Sequence, residues 1–112
     1  MQKGDIAIVE FPFSDLTNTK RRPCLIIAKV SDDYLILQMT QQEHNIGYNV
    51  QITNNDLIYN NLNINSDCYV RCHKAHFLNS SLVIKKVDTI KKDKLEEITD
   101  NLKKIIDDGT CS

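Results

Sequence analysis

The stretch GDIAIVEFPFSDLTNTKRRPCLII, residues 4–27, decides the fold of this chain. Alternating apolar residues from Gly4 to Phe11 predict a first strand, and a second apolar strand is predicted from Arg22 to Val30. Between the two strands, the polar residues 14–19 include only one large apolar side chain, so they are predicted to form an exposed loop. The stretch therefore predicts two neighbouring strands joined by a polar connection.

Three consecutive cations, Lys20, Arg21 and Arg22, close the predicted loop immediately before Pro23. Proline fixes its own φ and biases the preceding residue toward extended geometry, so the side chain of Arg22 is expected to leave the sheet at a defined angle. A guanidinium held in this way suits the binding of a planar or tetrahedral anion. This cluster of cations is the first indication of function.

The remaining sequence predicts four further strands and one helix. The strands are Tyr34–Thr40, Tyr48–Thr53, Asp67–Phe77 and Leu82–Val87, with polar turns at residues 31–33 and 79–81 and a turn containing a short helix across Asn54–Ser66. From Lys91 to Asp107 the apolar residues change to helical spacing, and Gly109 is predicted to stop this amphipathic helix. Strands followed by one packed helix predict a single α+β domain over residues 1–112, with a strongly twisted antiparallel sheet.

Composition limits the function classes that fit the chain. A net charge of −1 argues against a protein that coats nucleic acid by bulk electrostatics, so any phosphate chemistry must use a local patch. No apolar run approaches the roughly 20 residues needed to span a bilayer. The N-terminus MQKGDIAIVE lacks the apolar run and cleavage site of a signal peptide, so we expect a cytoplasmic protein without membrane partners.

The four cysteines raise the question of disulfides or a metal. Without a secretion signal, disulfides are the weaker interpretation. Cys68, Cys72, His73 and His76 resemble a zinc set, but in an extended segment the two cysteines lie roughly 13 Å apart, too far for one ion with Zn–S bonds of about 2.3 Å. We therefore expect Cys24, Cys68 and Cys72 to be buried core residues, Cys111 to be exposed in the tail, and the protein to use neither a metal nor another cofactor.

The ordered set Gly4-Asp5-Ile6, Phe11-Pro12-Phe13-Ser14-Asp15 and Lys20-Arg21-Arg22-Pro23 running into Cys24-Leu25-Ile26-Ile27 resembles the MazF/PemK family of bacterial toxin ribonucleases. The resemblance continues more weakly to about Ile106. It implies an SH3-like barrel sheet with packed helices, in agreement with the α+β prediction. The Asn-rich segment 54–65 departs from the family pattern, as does Asp88, where a glycine is common.

The resemblance also implies a catalytic pair, Arg22 and Thr40. In the family, the arginine of the Arg-Pro strand entry and a threonine or serine at the end of the third strand form the catalytic site. The predicted hairpin agrees with this, because Arg22 opens one strand and Thr40 closes its antiparallel neighbour, so both lie at the same edge. Seen alone, an Arg-Arg-Pro entry is more often a solvated loop end, and a threonine ending a strand is commonly only a β-former.

Further side chains are expected to bind substrate or to move protons. The predicted substrate-binding residues are Lys20, Arg21, Gln41, Arg71 and Lys74, of which the four cations extend a track for RNA phosphates. His44, His73 and His76 ordinarily titrate in a range useful for proton transfer, and alternation places His73 on the face of Arg71. The simpler interpretation of each is a solvated surface residue.

Taken together, the resemblance implies a sequence-preferring, metal-independent endoribonuclease toxin that cleaves single-stranded RNA to 2′,3′-cyclic phosphate and 5′-hydroxyl ends. Its expected partners are the RNA substrate, a cognate antitoxin protein and a second copy of itself, with operator DNA contacted only through the antitoxin. Two alternatives remain open: a non-catalytic toxin on the same scaffold that poisons DNA gyrase, and a regulatory nucleic-acid-binding module. The presence of both Arg22 and Thr40 favours the enzyme, because a gyrase poison does not need the pair.

Overall fold

The computed structural model describes residues 1–12, 19–41, 49–62, 64 and 68–109. In chain order its elements are strands β1 (Asp5–Pro12), β2 (Thr19–Val30), β3 (Asp33–Thr40) and β4 (Asn49–Ile52), a 3₁₀ turn at Asn54–Asp56, strand β5 (Cys68–Asn79), a 3₁₀ turn at Ser80–Leu82, strand β6 (Val83–Thr89) and helix α1 (Lys92–Asp108). The predicted α+β class is confirmed. Within the described part of the chain, no helix is long and apolar enough to cross a membrane.

The six strands form one antiparallel sheet in the order β4-β5-β3-β2-β1-β6. The sheet is strongly curved rather than flat. Phe11 on β1 and His76 on β5 are three strand positions apart, which is roughly 14 Å between backbones in a flat sheet, yet their ring centroids lie 6.1 Å apart. The side chains of this face therefore converge, and we call it the concave face.

Alternating residues of the strands form a separate apolar cluster on each side of the sheet. The larger cluster lies under helix α1 and includes Ile6, Leu25, Leu37, Val70 and Ile98. The smaller cluster lies on the concave face and consists of Ala7, Val9, Cys24, Ile26, Tyr34 and Ile36, with partly buried neighbours such as Phe11. Among the described residues, helix α1 packs on the side of the larger cluster, and on the concave face the side chain of Arg22 is exposed while those of Gln38 and Thr40 are half-buried.

Gly4 and Gly109 explain how helix α1 is positioned and ended. Gly4 has a φ of +96°, and a Cβ at this position would lie 3.1 Å from Cδ2 of Leu95 on the helix. A side chain here would therefore meet both backbone strain and crowding. Gly109 caps the helix in the left-handed conformation, and its N–H donates to the carbonyl of Ile105 at 3.3 Å. The predicted stop is confirmed.

Strand β2 begins earlier than the sequence pattern predicts. Pairing with β1 continues as far as Pro12↔Thr19, so the cations 20–22 lie inside the strand and not at a loop end. The prediction that Arg22 opens the strand is wrong, because cross-strand pairing extended the hairpin beyond the apolar residues. Of the predicted loop 14–19, Thr19 belongs to β2, while residues 14–18 lie outside the described residues, as do Phe13, His44 and Cys111.

Strand β5 is interrupted by a bulge that the alternation pattern did not predict. Its partners on β3 change from Leu37↔Ala75 to Gln38↔Arg71, so residues 72–74 are extra relative to β3. A bulge bends the strand and increases its local twist. Because of the bulge, Arg71 and His76 lie opposite Gln38 and Ile36, which are neighbours on the same face of β3.

Asp88 and the Asn-rich segment, the two features that depart from the family pattern, are joined by hydrogen bonds. The fully buried carboxylate of Asp88 accepts hydrogen bonds from the backbone N–H groups of Tyr59, Asn61, Leu62 and Thr89, at 2.7–3.1 Å. Burial raises the pKa of this carboxyl group, but the four donors outweigh burial and leave the pKa of Asp88 below its ordinary value. The Asn-rich segment is therefore an anchored loop, packed against the end of β6.

Candidate active site

The register of the β2–β3 hairpin brings Arg22 and Thr40 together. The two strands pair at Leu25↔Leu37 and Cys24↔Gln38. Continuing this register by two residues on each strand places Arg22 across from Thr40. Directly opposed residues of an antiparallel pair have Cβ atoms about 4.5–5.5 Å apart. The proximity of Arg22 and Thr40 thus rests on extending the register beyond its last pair, Cys24↔Gln38, and stays a prediction.

The pair faces the concave side of the sheet. Arg22 lies opposite Val9, which belongs to the concave-face cluster, and two residues before Cys24, which belongs to it as well. Burial raises the pKa of the Cys24 thiol to about 12, and the positive charge of Arg22 acts in the opposite direction. The guanidinium is thus close enough to influence a buried neighbour, although Arg22 itself is exposed and Thr40 is half-buried.

A second polar row lies next to the first on the same face. It runs from Gln38 on β3 through Arg71 on β5 to Asn49 on β4. Nε of Arg71 and both amide atoms of Asn49 are buried and have no hydrogen-bond partner among the described residues. Leaving a buried polar group unsatisfied costs about 1–3 kcal/mol. The row therefore holds unused capacity for hydrogen bonds to a polar ligand.

The charge on these rows is positive. The first row contains Val9, Arg22, Thr40, Tyr69 and Gln51, and the second contains Ala7, Cys24, Gln38, Arg71 and Asn49. Neither row contains a carboxylate in the part of the chain that the structure describes. Although the chain has a net charge of −1, the site therefore presents two guanidinium groups and several amides, which suit a phosphodiester with attached bases.

The predicted substrate-binding residues separate into two groups. Lys20 lies opposite Phe11, two positions from Arg22, and so shares the concave face, as does Arg71. Arg21 lies opposite Glu10 on the other side of β2. Gln41 is exposed just beyond the end of β3, and Lys74 is exposed in the bulge of β5. The structure thus places Lys20 and Arg71 on the same face as Arg22 and Thr40 and turns Arg21 away from it.

The sequence interpretation missed two polar residues of the concave face, Gln38 and Asn49. It named His76 but did not predict where His76 lies. Gln38 had a signal, because alternation within YLILQMT puts it on the same face as Thr40. Asn49 reaches the site only through the pairing of β4 with β5. His76 was considered for its titration, but its contact with Gln38 depends on the bulge. Long-range pairing decided both placements.

The described histidines occupy different environments. Nε2 of His76 lies 2.8 Å from Nε2 of Gln38, and the His76 ring packs edge-on against Phe11 at an interplanar angle of 74°. His73 is half-buried and lies in the bulge of β5. His76 is thereby held by side chains that belong to the concave face.

The cysteines are buried as predicted. Burial raises the pKa of Cys68 and of Cys72 to about 11, so these thiols are protonated at neutral pH. Sγ of Cys72 points toward the carbonyl of Ile98 on helix α1, at 3.9 Å. Within the described ranges, no group of three or more His, Cys, Asp or Glu side chains is placed to hold a metal ion.

Solved structures show the same fold. A MazE–MazF complex from Deinococcus radiodurans superimposes with a TM-score of 0.76 at 15% identity, covering 96% of each chain. An endoribonuclease from a mycobacterial species, solved in complex with its cognate antitoxin, gives 0.74 at 12% identity and covers 96% of this chain and 95% of its own. The Mycobacterium tuberculosis toxin MazF-mt6 gives 0.71 at 13% identity, covering 92% and 96%.

At the level of sequence, no curated protein matches the chain. The profile of one family matches residues 2–106, which include every strand of the sheet and most of helix α1. The motifs that resemble MazF/PemK in the first strands thus belong to a match over nearly the whole domain. This chain belongs to the family of PemK-like, MazF-like toxins of type II toxin–antitoxin systems.

Proposed function

We propose that this chain is a toxin endoribonuclease that cleaves single-stranded RNA, with Arg22 and Thr40 as its catalytic residues. The observation that carries the proposal is the β2–β3 register, which, if extended by two residues beyond its last pair Cys24↔Gln38, brings Arg22 across from Thr40 on the cationic concave face. Family membership and structural relatives described as endoribonucleases support the same activity. A gyrase poison or a regulatory module has no specific observation in its favour.

In the proposed reaction, the 2′-oxygen of one nucleotide attacks the adjacent phosphorus. The O2′–P bond forms and the P–O5′ bond breaks, giving a 2′,3′-cyclic phosphate and a 5′-hydroxyl. A proton leaves the 2′-hydroxyl and a proton reaches the departing 5′-oxygen. Arg22 donates two hydrogen bonds to phosphate oxygens as their negative charge grows, and the hydroxyl of Thr40 donates to a third.

The chemistry that we propose uses side chains alone. Arg22 supplies the positive charge at the phosphate, and a 2′-hydroxyl nucleophile is already part of the substrate. Lys20 and Arg71 bind flanking phosphates on the same face, and the amide side chains of the second row contact bases, which gives the enzyme a preference for certain sequences. Exposed Gln41 and Lys74 extend the contact surface along the strand ends.

The deciding experiment is cleavage of a long unstructured RNA by the purified protein in excess chelator. We expect discrete cuts whose 5′ ends accept phosphate from a kinase and whose 3′ ends resist ligation until the cyclic phosphate has been opened and the remaining phosphate removed. Cleavage that stops in chelator and returns with Mg²⁺ or Zn²⁺ would contradict the metal-independent mechanism. RNA binding without any cleavage would favour a regulatory module instead.

We further propose that a cognate antitoxin neutralises the toxin by covering the concave face. Lys20, Arg22 and Arg71 beside apolar strand positions complement an acidic amphipathic segment, and two of the structural relatives were solved with their antitoxins. Co-expression with the neighbouring small gene is expected to relieve growth arrest caused by this chain. If no adjacent small gene relieves the arrest, the proposed partner is wrong.

A further inference from the structure

We propose that Gln38 and His76 act together to read one unstacked nucleobase next to the phosphate that Arg22 binds. This inference rests on the proposed function, because it assigns part of the substrate to the same site. The positions of the two side chains in the sheet support it first. Gln38 precedes Thr40 by two residues on β3 and shares its face, while His76 lies opposite Ile36 on β5. A base bound here is therefore adjacent to the catalytic pair.

The hydrogen bond between the two side chains defines what they present to a ligand. Nε2 of Gln38 lies 2.8 Å from Nε2 of His76. An amide nitrogen can only donate, so the imidazole Nε2 accepts and the proton of the neutral ring lies on Nδ1. Oε1 of Gln38 and Nδ1 of His76 have no partner elsewhere in residues 1–12, 19–41, 49–62, 64 and 68–109.

The pair thus offers an acceptor, Oε1 of Gln38, and two donors, Nδ1–H of His76 and the second N–H of the Gln38 amide, from two side chains that fix each other. Each RNA base carries a donor and an acceptor close together on its Watson–Crick edge, and such edges are read by amide and imidazole groups in single-stranded recognition. If the amide turns over, the donor and the acceptor exchange places but both remain. With the amide oriented as in this structure, the pair favours a base whose Watson–Crick edge presents these groups in the complementary order.

Packing supports a base rather than a second phosphate as the ligand. Phe11 is half-buried and packs edge-on against the imidazole, with ring centroids 6.1 Å apart. An aromatic surface beside a donor–acceptor edge is the arrangement that binds an unstacked base. The cations Arg22 and Arg71 lie in the rows next to this pair, where phosphates are expected.

The test uses an RNA library with randomised positions around the cut site, and compares cleavage by wild type, Gln38→Ala and His76→Phe. Phenylalanine keeps a ring against Phe11 but removes both nitrogens. We expect each variant to lose discrimination at one and the same nucleotide, by roughly 5- to 150-fold, the equivalent of a bidentate base contact. The double variant should lose no more than either single one, because the two side chains act as a unit.

Asp100→Asn is the matched control, because Asp100 is exposed on α1, on the opposite side of the sheet. It should keep the wild-type preference. If both concave-face variants also keep that preference while cutting, the reading pair is wrong and the proposed endoribonuclease stands. Loss at two different nucleotides would also overturn the pair. If wild type cuts no RNA, the proposed function fails and this inference fails with it.

Discussion

Arg22 is the single residue on which the proposed chemistry depends most. Replacing it with lysine keeps the charge but removes the planar pair of donors that binds two phosphate oxygens. Loss of one such preorganised donor typically costs about 2.7–4 kcal/mol in the transition state, so the single-turnover cleavage rate of Arg22→Lys should fall roughly 10²- to 10³-fold.

The stability of Arg22→Lys should change by less than about 0.5 kcal/mol, because the side chain is exposed. Arg21→Lys is a matched comparison, since Arg21 lies next to Arg22 but faces Glu10 on the other side of the strand. Its rate should fall far less. Equal rates for wild type and Arg22→Lys, with unchanged thermal melting, would show that the catalytic arginine is elsewhere.

Thr40 is expected to contribute through its hydroxyl group alone. Thr40→Val keeps the shape and the strand preference of the residue but removes the donor. Cleavage under single-turnover conditions should be slower, while affinity for RNA should stay close to that of wild type. The measurement pairs cleavage rates with binding to an RNA whose 2′-hydroxyl at the cut site is replaced by hydrogen. A large loss of affinity with an unchanged rate would instead assign Thr40 to binding.

Among the elements, the Asn-rich loop is expected to depend on Asp88. Asp88→Asn replaces a buried carboxylate that accepts four backbone N–H groups by a neutral amide with one acceptor oxygen. We expect the free energy of unfolding at neutral pH to fall by about 1–3 kcal/mol. Chemical denaturation of both proteins measures this difference.

The effect of Asp88 should depend on pH with a definite sign. The pKa of Asp88 is lowered in the folded protein, so its stabilisation is fully present above the unfolded value of about 3.9 and is lost as pH falls through the folded value. The difference between wild type and Asp88→Asn should therefore be largest near neutral pH and shrink in acid below about pH 4. A difference that persists unchanged at pH 2 would mean that packing, not charge, anchors the loop.

The bulge in β5 arranges polar side chains in a way that the alternation of apolar residues does not predict. It shifts the pairing with β3 by inserting residues 72–74, and this shift places Arg71 opposite Gln38 and His76 opposite Ile36, within hydrogen-bond reach of Gln38. Cys72 meanwhile packs under the helix. The same element thus supports the core on one side and arranges polar groups on the other.

For the whole molecule, we expect a homodimer. Strands β4 and β6 are the two edges of the open sheet, and open edges are usually covered in stable proteins. Apolar side chains such as Val30, Phe77 and Ile106 are more than half exposed. Light scattering at micromolar concentration should give about 26 kDa, twice the 12.9 kDa chain, because C₂ pairs are the commonest assembly. A single species near 13 kDa would contradict the dimer.

The strands themselves could be predicted from the sequence, but details of how they pair could not. Apolar alternation located all six strands to within a few residues, and helical spacing with Gly109 located the helix. The missed start of β2 and the bulge of β5 both arose where pairing with a neighbour outweighed the local pattern. That Arg22 and Thr40 lie on neighbouring strands was predictable, because β2 and β3 are joined by a short turn.

By itself, the sequence determined the family, the elements, the buried cysteines and the choice of Arg22 and Thr40, since each depends on local spacing or on a short ordered motif. Only the tertiary structure decided which other side chains lie on the same face as Arg22 and Thr40. Gln38 and His76 are 38 residues apart in the chain, and Asn49 reaches the site through β5. Alternation specifies the face that a residue occupies, but strand order and register follow from packing of the whole sheet.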